Sequence, residues 1–268
     1  MSTLAVWLAN QRPVRAALWL ASLSSAATNA ISSITGVHGV FPSFDAGWAA
    51  ARRFRTTGHE HPDQASRILH KQMRTSDYPV LFLLAVLQPR QVLDFGGSIG
   101  NLFYLYRTLL PNLDTVPWTV VDLPEVVDQG RALALERNAS NLTFTDHLSN
   151  APTDTDFLLA AGCFHYWERS VSEFFQALSS LPSHVLINRV PVTSRREDYV
   201  IVQSDHILAV PCIVRNRARF IADVCGLGYE LVDSWEEPRA SHRMLFLPAY
   251  TVRSFSGFYF RRTPSRSI

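Results

Sequence analysis

The chain has 268 residues, of which 47% are hydrophobic and 18% charged, with a formal net charge of +2. That composition supports a folded core and excludes a disordered chain as the default, while so small a charge excludes wholesale nucleic-acid binding. The length fits one large α/β domain, or one domain with a small cap.

Lys71 is the one lysine among 25 basic residues, a compositional bias rather than a motif. Three cysteines, Cys163, Cys212 and Cys225, form no CxxC. Neither a disulfide framework nor a zinc site is indicated, and reduced thiols in a cytoplasm are the simplest account. Residues 1–35 place Arg12 and Arg15 ahead of a short apolar run at 16–23. The charges lie too far from the start for a secretory signal, and the run is too short to span a bilayer. A partly amphipathic helix covering the main domain, or a surface-associating arm, is expected, so that residues 1–60 form a helical extension and 61–268 the main domain. The polar stretch 59–63, with Pro62, is the loop between them.

From there the pattern alternates. Residues 79–87 read as a buried helix stopped by Pro89, 91–95 as an apolar strand, and 99–110 as a helix ahead of Pro111. Residues 118–121 are a second strand, 125–138 a helix, 142–145 a third strand and 157–161 a fourth. A helix at 170–181, a strand at 185–188 and a helix at 218–225 follow, and 229–235 and 257–260 read as closing strands. Strands alternating with helices imply a Rossmann-like α/β fold, with a mostly parallel seven-stranded sheet and helices on both faces. Ligands in such sheets lie at the carboxyl ends of the strands.

The stretch Val92-Leu-Asp-Phe-Gly-Gly-Ser-Ile-Gly100 is the most informative. A buried strand ends in a glycine turn that opens a helix, as a backbone that approaches a ligand closely requires. The glycines at 96, 97 and 100 do not fit GxGxxG, and no GK[ST] phosphate loop occurs. Asp94, two positions before the first glycine, would repel a pyrophosphate and suits a ligand with a cationic amino group. S-adenosylmethionine has such a group and no phosphate. Asp122, at the end of the second strand, is placed to accept from ribose hydroxyls, with Leu123 beside it; a helix-capping role for the segment starting near Pro124 is compatible with this. Asp146 ends the third strand, where an adenine amino group would lie.

With these residues a resemblance becomes specific. The turn 96–100 with Asp94 resembles motif I of class I methyltransferases, and Val121-Asp-Leu-Pro-Glu-Val-Val127 resembles the segment after the second strand in small-molecule O-methyltransferases. The chain is similar over about residues 40–262 to a family of methyltransferases encoded among bacterial surface-polysaccharide genes, through Phe41-Pro-Ser-Phe-Asp-Ala46, Ile187-Asn-Arg189 and Gly257-Phe-Tyr-Phe260. The resemblance implies S-adenosylmethionine as cofactor and a small-molecule or saccharide acceptor. Ser98 departs from it, since glycine is usual there; a serine is expected to offer its N–H only with a negative φ.

A hydroxyl acceptor needs a base. His165 follows the fourth strand and His206 lies in a loop or short strand beyond the fifth. Arg189 could clamp an anionic substrate or serve an internal ion pair. No metal cluster is indicated. Two rival readings are a nicotinamide-dependent oxidoreductase and a non-catalytic scaffold that keeps the pocket.

Overall fold

The computed structural model describes residues 11, 13–14, 35–53, 58–60, 72–204, 208–244 and 247–263. Two compact units are interleaved along the chain. The first comprises Met1–His59, Pro191–Asn216 and Pro238–Phe255; the second comprises Glu60–Val190, Arg217–Glu237 and Ser256–Ile268. The sequence reading divides the chain at residue 60, and the units change at His59 and Glu60. The chain then returns twice to the first unit, through segments that the sequence pattern places in the main domain.

The second unit holds a seven-stranded sheet. Its strands are β2 (Val92–Phe95), β3 (Trp118–Val121), β4 (Leu142–Thr145), β5 (Phe157–Ala161), β6 (His184–Val190), β10 (Tyr229–Glu237) and β11 (Phe255–Arg262). Their order is β10-β11-β6-β5-β2-β3-β4. β2 runs parallel to both β3 and β5, β3 to β4 and β5 to β6, while β11 is antiparallel to β6. The central strands carry apolar residues on both faces because helices cover both.

On one face, Val80 and Leu84 of α2 (Asp77–Leu87) and Phe103 of α3 (Asn101–Arg107) pack with Val92, Trp118, Phe157 and Leu186. On the other, Phe174 of α5 (Val171–Gln176) and Phe220 of α6 (Arg217–Cys225) meet edge-on the rings of Phe164, Phe258 and Phe95. Local signals set the helix ends. Pro124 starts α4 (Pro124–Glu136), Ser170 and Glu173 form a reciprocal capping box on α5, and Gln88 closes α2 in the left-handed region just before Pro89.

The first unit is largely invisible in the sequence pattern. Its sheet has the order β1-β8-β9-β7, from Val37–Phe41, Tyr199–Ser204, Ala209–Asn216 and Val192–Thr193. β8 pairs antiparallel with both β1 and β9. Helix α1 (Phe44–Ala51), capped by the Ser43 side chain, lays Ala51 and Trp48 against Val202 and Ala209. An all-helical extension therefore does not describe residues 35–53, where a strand precedes the helix.

Candidate functional site

β2 lies in the middle of its sheet, and the chain leaves it at a tight turn. Gly96 N–H donates to the Val121 carbonyl at 2.7 Å, tying the turn to the end of β3. Gly96 has φ +66°, and a Cβ there would lie 2.7 Å from Cys163 Sγ. Only glycine meets both conditions. Gly100 caps α3 with φ +88°, so the turn opens directly into a helix, and Asn101 N–H donates back to the Gly97 carbonyl at 3.3 Å.

Beneath the turn sits Asp94. It is 1% exposed, and a Cβ on Gly97 would come 2.5 Å from its Cγ. Trp118 Nε1 donates to Oδ2 at 3.2 Å, whereas Oδ1 accepts no hydrogen bond among the described residues. Burial pushes its carboxyl up to about 7; the Trp118 donor opposes this, Asp122 adds to it and Arg189 opposes it. The sequence reads Asp94 as an acid suited to a ligand with a cationic amino group, and the fold places it against the Gly97 backbone of the turn.

Ser98 corrects an expectation. Its φ is +55°, in the left-handed region, yet its N–H is engaged, donating to Asp122 Oδ2 at 2.7 Å. A charge-assisted bond to a backbone N–H offsets the conformational cost of a serine there. Asp122 Oδ1 accepts from Leu123 N–H at 2.8 Å. The helix cap itself is Leu123, with no side-chain bond, so Asp122 does not cap α4. Its carboxyl is raised by burial and lowered by its two N–H donors. Leu123 is 41% exposed, an apolar surface beside that carboxylate. Asp122 N–H donates to the Thr145 carbonyl at 3.2 Å, which brings exposed Asp146 to the next position along the same edge. Asp146 pairs only with its neighbour His147 among the described residues, at 3.8 Å.

Cys163, which no sequence motif singles out, closes the other side. Its thiol donates to the Phe95 carbonyl at 2.8 Å. His165 follows in a 3-10 turn, 2% exposed, with its ring 4.2 Å from that of Tyr166. His206 lies outside the described residues.

Arg189 is 6% exposed, and the internal ion pair claims it. Its Nη1 meets Asp77 Oδ1 at 2.6 Å and its Nη2 donates to the Ala161 carbonyl at 3.2 Å. Tyr106 Oη also donates to Asp77 Oδ1, at 3.0 Å, and Arg74 N–H to Oδ2, at 2.8 Å. Ser76 N–H donates to Glu237 at 3.0 Å, and Asn188 to the Ser76 carbonyl at 2.9 Å. This buried network holds the start of α2 against the ends of β6 and β10. Nothing in the sequence signals it, because Asp77 and Arg189 lie 112 residues apart. Among the described residues no group of three His, Cys, Asp or Glu could hold a metal ion.

No protein-family model and no curated protein matches the chain. Solved structures do. The geranyl diphosphate C-methyltransferase of Streptomyces coelicolor A3(2), in complex with Mg2+, geranyl diphosphate and S-adenosyl-L-homocysteine, aligns with a TM-score of 0.51 and 11% identity, over 76% of this chain and 87% of its own. The 1,6-didemethyltoxoflavin-N1-methyltransferase of Burkholderia thailandensis aligns at 0.49 and 19% identity, over 71% of this chain and 80% of its own. The mitomycin 7-O-methyltransferase aligns at 0.49 and 17% identity; this chain covers 62% of it, and 79% of this chain takes part. At such identities the likeness to the Streptomyces enzyme concerns architecture: this chain has the Rossmann-like α/β fold of methyltransferases.

Proposed function

We propose that this chain is an S-adenosylmethionine-dependent methyltransferase acting on a hydroxyl or amine of a small molecule. The observation that carries the reading is the turn from Gly96 to Gly100, whose backbone is bare at two left-handed glycines and whose Ser98 N–H is held by Asp122. A group with a cationic amine, a ribose and an adenine fits this edge of the sheet. The turn receives the amino-acid portion, Asp122 accepts from the ribose hydroxyls through its remaining lone pairs, Leu123 packs on the adenine and Asp146 accepts from the adenine amino group. When bound, the cofactor supplies an electrophilic methyl group on a sulfonium. The protein's part is to align the acceptor in line with it and to take up the acceptor's proton. His165 and His206 are the candidates for that proton; Arg189 is held by Asp77.

The family resemblance points to a saccharide precursor as acceptor and to a cytoplasmic setting, with which three free cysteines agree. Among the described residues no helix is long and apolar enough to cross a membrane. One observation favours a second reading, a cofactor-binding protein without turnover: His165 is almost wholly buried. The test is transfer of a labelled methyl group from S-adenosylmethionine to a panel of sugar nucleotides, phenols and amines. Label in any product supports the proposal. Saturable cofactor binding with no product across the panel supports the second reading.

A further inference from the structure

The first unit contains a groove that the methyl-transfer reading does not use. Its volume is about 690 Å³, within the range of small-molecule sites. Phe41, Tyr199 and Tyr250 line it together with Arg195, Arg196 and Asp198. The walls are held in place. Tyr199 Oη donates to the Tyr250 carbonyl at 2.9 Å, and the two rings meet edge-on at 5.0 Å. Arg196 lies over the Tyr250 ring, 4.2 Å from its centroid, while its Nε donates to the Ala249 carbonyl at 3.2 Å.

The charges are arranged unevenly. Glu197 and Asp198 line the groove as well; Asp198 accepts from Asn216 N–H at 2.7 Å and faces Arg215 at 3.9 Å. Neither Arg195 nor Arg196 forms an ion pair with these acids among the described residues. Arg196 Nη2 and the whole Arg195 guanidinium therefore keep their donors for something else. Stacking on Tyr250 fixes Arg196 before any ligand arrives, which reduces the ordering cost of binding. Two guanidinium groups on one groove, with open N–H donors, match an anionic oxygen group, and the aromatic wall matches a flat or apolar body joined to it.

We infer that this groove is a binding site for a small molecule with a carboxylate or phosphate carried on a ring. It shares no residue with the cofactor turn and does not depend on that turn's assignment.

The test is calorimetric titration of the full chain with phenyl phosphate and benzoate, with phenol and inorganic phosphate as the ring-only and anion-only controls. Saturable binding of phenyl phosphate or benzoate is expected, at least about tenfold tighter than either control; whichever binds tighter names the anion. The double variant Arg195→Ala/Arg196→Ala should weaken it at least about tenfold, whereas Arg131→Ala, in the other unit, should not. Both arginines are exposed, and circular dichroism checks that the variants remain folded. Absence of saturable binding by either probe, unchanged affinity in the double variant, or displacement of the probe by S-adenosylhomocysteine would each overturn the inference.

Discussion

Replacing Asp94 with asparagine should change how stability depends on pH. Burial raises this carboxyl from 3.8 to about 7. Below pH 4 it is neutral in folded and unfolded chains alike. Between about 4 and 7 the folded chain retains a proton that the unfolded chain has released, so this residue makes stability fall as pH rises. Above 7 the loss is complete. About three pH units at roughly 1.4 kcal/mol each give a loss on the order of 4 kcal/mol, of which about 3 kcal/mol falls between pH 5 and pH 8. The substituted amide would keep a carbonyl for Trp118 Nε1 and would not ionise. Urea denaturation of wild type and Asp94→Asn at pH 5 and pH 8 isolates the effect, because all other titrating groups are shared. The variant should gain about 3 kcal/mol on wild type between the two pH values, or about 1 M or more in urea midpoint. Parallel behaviour at both pH values would mean that Asp94 is ionised beneath the turn, and the account of it as a desolvated acid would fail.

Other consequences concern single interactions. Asp122→Ala should weaken S-adenosylhomocysteine binding by about 1–3 kcal/mol, measured by calorimetry; retained affinity with a lowered melting temperature would limit Asp122 to holding Ser98. Asp77→Ala, which leaves Arg189 buried without its ion-pair partner, should cost about 3–5 kcal/mol of stability, and a double-mutant cycle with Arg189→Met should recover most of it. If the acceptor is a hydroxyl, His165→Gln or His206→Gln should reduce turnover by about 10²–10⁴ with cofactor affinity kept; a loss of only a few-fold in each would leave catalysis to positioning.

The alternating part of the fold is legible because each strand from β2 to β6 is an apolar run closed by a turn residue, and the helices between them start at Gly100, Pro124 and Ser170. The glycine turn is legible for the same local reason. The first unit is not, although Val200-Ile-Val202 is a β-branched run and Ile213-Val214 a β-branched pair. β9 contains Pro211, which argues against a central strand, and β1 has Gly39 at its centre. β1 finds its partner β8 more than 150 residues further along, pairing Val37 with Gln203, and no local pattern encodes that register. Ser98 shows a similar limit. Its own preference is for a negative φ, and what overrides that is a carboxylate 24 residues away. For Arg189 the sequence leaves clamp and ion pair equally open, since only the arrival of Asp77 from α2 decides between them.

The central claim is that the turn at 96–100 binds S-adenosylmethionine. Calorimetric titration of the full chain with S-adenosylhomocysteine, set beside NAD, tests it most directly. The account predicts saturable one-to-one binding of S-adenosylhomocysteine, none of NAD, and loss of binding in Gly96→Val, where a branched side chain meets both a positive φ and Cys163; a thermal melt confirms that the variant is folded. Failure of S-adenosylhomocysteine to bind the wild-type chain, or equal binding by a folded Gly96→Val, would contradict it.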